Sequence, residues 1–136
     1  MATKEALNLY SGTITTALTA DVGTEQIVPD NCTGLVLQYN MFVGGGGTDL
    51  TAWVQCSIDG SNWVDVSAFN ATTSSLRKVS AVQGALAHTH ATPTDGALAD
   101  NTDIDGWIGS KIRVKVTSTG TYTTASTFNV HCRFVA

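Results

Sequence analysis

Apolar and polar residues alternate with a period of two along most of this chain, which places successive side chains on opposite faces of a β-strand. The clearest stretch is 50–66, LTAWVQCSIDGSNWVDV. Leu50, Ala52, Val54, Cys56 and Ile58 share one phase, with Thr51, Trp53, Gln55 and Ser57 in the other. Asp59 and Gly60 tolerate the positive φ angles of a hairpin turn, and residues 62–66 supply a short return strand. Before it, Leu35, Leu37, Tyr39, Met41 and Val43 predict a long strand whose opposite face, with Val36 and Phe42, is itself partly apolar. Ile14, Thr16, Leu18 and Ala20 predict a first strand over 13–22, and 76–82 predicts another. Ile112, Val114 and Val116, then Phe128, Val130, Cys132 and Phe134, mark two closing strands around a turn at Gly120. Consecutive strands of this kind are expected to pair antiparallel. About seven or eight such strands and no convincing helix predict an all-β fold, an antiparallel β-sandwich of jelly-roll or immunoglobulin-like type.

The breaks in the pattern set the organisation. A chain of 136 residues is the length of one domain with one core. Residues 1–10 fit a short helix, a strand or a mobile arm equally, so the domain is placed at 13–136 behind an N-terminal arm at 1–12. The four glycines at 44–47 carry no side chains and predict a flexible connection. Residues 84–106, GALAHTHATPTDGALADNTDIDG, are the least regular part, and a loop of that length inside a compact domain is usually functional. This loop and the N-terminal arm are the expected contact segments, with His88, His90, Asp95, Asp103, Asp105, the adjoining Trp107 and, outside the loop, Trp53 as candidate partner-binding residues.

Charged residues make up 13% of the chain, about half the typical share of roughly 25%, so part of the surface is expected to be covered in an assembly. A net charge of −4 gives no basic footprint for nucleic acid. No apolar run approaches the length of a membrane span, and the first residues lack the pattern of a secretory signal, so neither membrane nor secretion is expected. Three cysteines, Cys32, Cys56 and Cys132, form an odd set without short spacing, which fits buried thiols in a reducing cytoplasm.

Candidate chemistry is sparse. Asn101, Asp103, Asp105 and Gly106 match part of a calcium loop, but Ile112 stands where the closing Glu belongs, so a solvated acidic turn is the better reading. His88 and His90 share a side in extended backbone, yet nothing nearby completes a zinc set. The nucleophile elbow and the glycine-rich phosphate loops are absent, so no catalytic residue and no cofactor is assigned. Lys111, Arg113 and Lys115 form a basic stripe that an acidic partner could meet, though outward charges on a half-buried strand are the ordinary pattern. Trp53, in the polar phase of its strand, is a candidate exposed platform for stacking against a sugar.

The run VQCSIDGSNWVDV together with WIGSKIRVKVTSTGTYTTASTFNVHCRFV resembles small β-rich virion proteins of tailed phages. The shared shape is a V-x-x-S-x-D-G-x-x-W hairpin followed by a G-x-x-[IV]-R-V-x-V-T strand and a final strand after a Gly-Thr turn. That resemblance implies a capsid decoration, or cement, protein. It would be made in the host cytoplasm, lie on the capsid surface, form a homotrimer, and bind the major capsid protein or other virion proteins. A structural protein of the head–tail connector or the tail is the related alternative that the resemblance also implies. The S-x-D-G-x-x-W hairpin is also similar to part of discoidin-type carbohydrate-binding domains, the alternative that would use Trp53.

Overall fold

The protein is described here by a computed structural model covering residues 7–84, 86, 87 and 89–136. Its elements are β1 (Leu7–Ile14), β2 (Asp21–Val22), β3 (Gln26–Ile27), β4 (Gly34–Phe42), β5 (Gly45–Gly46), β6 (Asp49–Ser57), β7 (Trp63–Ala71), β8 (Leu76–Gln83), β9 (Lys111–Thr119), β10 (Tyr122–Thr124) and β11 (Ser126–Val135). No helix occurs among the described residues. One sheet runs β1-β11-β4-β8 and the facing sheet β2-β9-β6-β7, with β3 also on the free edge of β9. Every pairing is antiparallel.

Counting β2 and β3 as one interrupted strand and setting the small β5–β10 ribbon aside leaves eight strands. Their order is first, last, third, sixth against second, seventh, fourth, fifth. The first strand pairs with the last, which is jelly-roll connectivity; in an immunoglobulin domain it would pair with the second.

The inward phases meet as one core. Leu35, Leu37, Tyr39 and Met41 of β4 and Phe128, Val130 and Cys132 of β11 face Leu50, Ala52, Val54 and Cys56 of β6 and Ile112, Val114 and Val116 of β9. Phe69 of β7 ties the layers together, stacking on Tyr39 at 4.9 Å and on Phe128 at 5.6 Å between ring centroids. Such pairs add about 0.5–1.5 kcal/mol each beyond the area they bury. Cys56 and Cys132 lie in this core and all three thiols are free.

Four expectations need correcting. The first strand is Leu7–Ile14, not 13–22. Leu9, Tyr10 and Ile14 are buried in the core and Leu7 and Leu18 pack partly buried against it, whereas residues 15–17 are exposed and Leu18 is also bonded through its backbone to Ser118. The return strand of the hairpin is nine residues, Trp63–Ala71, because a bulge opposite Val54 and Gln55 lets it continue alongside β6 as far as Leu50. The last two long strands do not pair with each other: β9 lies beside β6, β11 lies between β1 and β4, and the segment between them crosses from one sheet to the other.

The glycines at 44–47 are not a loose tether. Gly45 and Gly46 pair with β10, Gly47 donates its N–H to the Thr121 carbonyl at 2.8 Å, and Gly46 has φ of 74°. A Cβ on Gly44 or Gly46 would run into the carbonyl oxygens of Ala125 and Thr121. The missing side chains serve close packing of two backbones.

Candidate functional site

Strand β6 is buried on both faces, although only its inward phase was expected to be. Residues 94–98 of the expected contact loop lie over its outer face, and one residue explains how. Asp65 on β7 is 0% exposed, and its carboxylate collects donors from the loop. One oxygen accepts from Thr94 Oγ1 at 2.9 Å and from the N–H groups of Gly96, Ala97 and Leu98 at 2.8, 2.9 and 3.1 Å. The other accepts from Gly96 N at 2.9 Å and from Gln55 Nε2 at 2.8 Å. Successive backbone N–H groups aimed at one carboxylate form an anion nest, here closed on the protein's own side chain.

The network continues outward. Gln55, also 0% exposed, donates to Asp95 Oδ1 at 2.6 Å and accepts from Arg113 Nε at 2.8 Å. Arg113 sits 4.2 Å from the centroid of the Trp63 ring, a cation–π contact. Lys115 reaches Asp95 at 3.3 Å and Lys111 reaches Glu25 at 3.6 Å. The basic stripe is therefore engaged with the chain's own carboxylates. Burial pushes the Asp95 carboxyl upward, but the bonds from Gln55 and Lys115 and the charges of Lys115 and Arg113 outweigh that and hold it below the ordinary carboxylate range.

Beyond the nest, residues 102–104 run along the free edge of β7. Ala68 N donates to Thr102 O and Ile104 N to Val66 O, both at 2.9 Å. Asp103 Oδ1 accepts from Ser67 Oγ at 2.6 Å, and Ser67 Oγ in turn accepts from Tyr39 Oη at 2.5 Å. Asp105 Oδ1 accepts from Gln83 N at 2.7 Å, and Gly106 N donates to Gln83 O at 2.8 Å. The segment thus fastens β7 of one sheet to β8 of the other. It is a strap, held through the backbone of residues 94, 96–98, 102, 104 and 106 by the strands and by Asp65.

The candidate residues are placed as follows. Trp53 is 9% exposed beneath the strap and donates Nε1–H to Leu98 O at 3.0 Å, so it is not an exposed sugar platform. Trp107 is half-buried against the core. His90 is exposed, and His88 lies outside the described residues. Asp95, Asp103 and Asp105 are not brought together: they fasten three different points of the strap. The oxygen of Asn101 accepts from Asn70 N at 3.1 Å. The partial calcium pattern therefore spends its oxygens on strand donors, and no group of three His, Cys, Asp or Glu among the described residues could hold a metal ion. A notch of about 90 Å³ lies beside Asp103, lined by Tyr39, Phe69, Lys78 and Ser80, well below the 300–1,000 Å³ of a typical ligand pocket.

Among the described residues, nothing covers the outer side of the other sheet. Gln38 Nε2 donates to Asn40 Oδ1 at 3.2 Å and Asn40 Nδ2 to Asn129 Oδ1 at 2.7 Å, forming an amide ladder across β4 and β11. Around it stand Phe42, Val79 and Val36, which are 62%, 68% and 39% exposed. No helix in the described structure is long and apolar enough to cross a membrane. No known protein family, curated protein or solved structure matches this chain.

Asp65 and Gln55 escaped the sequence reading, because a polar residue in the outward phase of a strand ordinarily faces water. The available signal was the absence of any charge from Thr51, Trp53, Gln55 and Ser57, four consecutive outward positions of β6.

Proposed function

We propose that this chain is a non-enzymatic structural protein of a phage virion, a capsid decoration protein that binds the assembled head as a homotrimer and stabilises it. The observation that carries this reading is the use the molecule makes of its polar groups. Asp65, Gln55, Asp95, Asp103 and Asp105 all serve to hold one segment against a sheet. The result is a stiff frame whose available chemistry is surface shape and charge, which is what adhesion to another protein requires. The hairpin at 54–66 and the strands at 107–135 supply the resemblance to phage virion proteins, and jelly rolls are a recurrent architecture of capsid domains. Fold alone does not assign function, so the reading rests on both together.

A decoration protein stabilises a shell by binding the assembled form better than the free subunits, a mass-action effect. The test is to delete the gene from the phage that carries it and compare purified particles. Heads lacking the protein should release DNA at a lower temperature, and adding back the purified chain should restore the wild-type value. Density spread over the shell is the expected image. A single ring at one vertex would instead indicate a connector protein, and absence of the chain from purified particles would refute the proposal.

A further inference from the structure

The two outer faces of this sandwich are treated differently, and the difference includes charge. Facing rows of the β1-β11-β4-β8 sheet read Thr13, Thr127 and Phe42; Ser11, Asn129, Asn40 and Arg77; Asn8, His131, Gln38 and Val79; and Arg133, Val36 and Ala81. None of these residues is acidic, although the chain carries 11 acidic against 7 basic groups. Arg77 and Arg133 are exposed on this face, and no ion pair among the described residues reaches either of them. On the opposite sheet, Lys111, Arg113 and Lys115 are all paired with Glu25 or Asp95. Among the described residues of this acidic protein, two guanidinium groups without an ion pair thus stand on an exposed sheet face, beside Phe42, Val36 and Val79.

We propose that this bare face is the docking surface of the protein and that its occupant is a flat protein surface bearing carboxylates, with Phe42, Val36 and Val79 supplying contact area and Arg77 and Arg133 selecting the charge. The assignment rests on the virion reading above, in which the occupant belongs to the assembled shell. A second copy docked face to face would bring together two surfaces that both lack an acidic group. Nucleic acid is disfavoured by the overall negative charge. The amide ladder fits the same occupant, since Gln and Asn side chains keep donors and acceptors to spare for a polar neighbour.

Size sets the expected strength. Four strands about 4.8 Å apart and about seven residues at 3.3 Å give a patch of roughly 20 by 23 Å. That is near 500 Å² per partner, short of the roughly 800 Å² of a standard interface. Single-site binding should therefore be weak, dependent on salt, and strengthened when several copies are linked in an oligomer.

The test uses particles of the encoding phage purified without the chain, to which fluorescently labelled full-length protein is added. Arg77→Glu with Arg133→Glu should weaken binding at least tenfold, Phe42→Ser severalfold, and Arg77→Lys with Arg133→Lys far less than the reversal. Raising NaCl from 50 to 500 mM should weaken the wild type and have less effect on the charge-reversed variant. Asp100→Lys, on the strap side, serves as the control and should leave binding unchanged. Thermal midpoints within about 3 °C of the wild type show that the exposed substitutions leave folding intact. If the wild type binds and the face variants bind equally well, the docking surface is wrong while the virion reading stands. If sedimentation shows a wild-type dimer that Phe42→Ser dissociates, the occupant is a second copy and the carboxylate-bearing partner is overturned. Wild-type protein that leaves the particles bare overturns the virion reading, and with it the partner assigned here.

Discussion

Replacing Asp65 by Asn is the sharpest perturbation of the strap, because it keeps shape and changes one atom. In the native site one carboxylate oxygen serves Thr94, Gly96, Ala97 and Leu98 while the other serves Gln55 and Gly96. An Asn side chain can turn its oxygen toward the loop, but its NH₂ then faces the NH₂ of Gln55. Gln55 cannot turn over in response, since its own oxygen is taken by Arg113 Nε. One charge-assisted bond is lost and two buried donors are left opposed, which costs about 3 kcal/mol. Asp65→Ala removes every acceptor at once and should cost about 3–5 kcal/mol, with the strap released to water. Urea unfolding measures the stability change. Hydrogen exchange at the Gly96, Ala97 and Leu98 amides reports the strap, where 3 kcal/mol corresponds to about a hundredfold loss of protection. Asp100→Asn, exposed on the same segment, should change stability by less than about 0.5 kcal/mol. If Asp65→Asn matches the wild type in urea and the three amides stay protected, the carboxylate nest is not what holds the strap.

Three further outcomes follow from other sites. Gly46→Ala should destabilise by about 2 kcal/mol or more in the same urea assay, because φ of 74° and the nearby Thr121 carbonyl both oppose a side chain. Asp95 has its folded-state pKa depressed, so its contribution is present above the unfolded value near 3.9 and is lost as pH falls through the lower folded value. Its side chain is 49% exposed, so the effect should stay below about 1 kcal/mol, seen as a shallower acid limb for Asp95→Asn in urea midpoints between pH 2.5 and 7. Burial pushes the Cys56 thiol up to about 11 and the Cys132 thiol up to about 12. Native protein at pH 8 should therefore expose only the half-buried Cys32 to a thiol reagent, with the other two reacting after unfolding. Equal rates for all three thiols in the folded protein would refute that burial.

Alternation reports which side of a strand a residue faces, and it does so well here. The inward phases of β4, β6, β9 and β11 lie in the core as the pattern required, with Val43 and Phe134 partly buried against it, and Ile58, past the end of β6 at Ser57, is 69% exposed. Alternation does not report what lies beyond that side. The pairing of the two long closing strands differs from expectation for a related reason: closeness in sequence does not decide it, since β9 and β11 are separated only by short β10, yet β9 pairs with β6 in one sheet and β11 with β1 and β4 in the other. The glycines at 44–47 were read as freedom because composition describes a segment alone, whereas their role is set by the β10 backbone against them.

The two uncharged outward phases carry this point furthest. Thr51, Trp53, Gln55 and Ser57 on β6 have no charge, and neither do Val36, Gln38, Asn40 and Phe42 on β4. In the first case the chain supplies its own cover, fastened by a carboxylate that the same sheet provides from β7. In the second the described residues supply none, and Arg77 and Arg133, without an ion pair among them, stand beside the exposed residues. A lone soluble domain gains nothing from two such faces, since uncharged, partly apolar sheet surface invites association. On the docking proposal the two faces are alike, with a strap on one side and a partner on the other, and Arg77 and Arg133 set the charge expected of that partner.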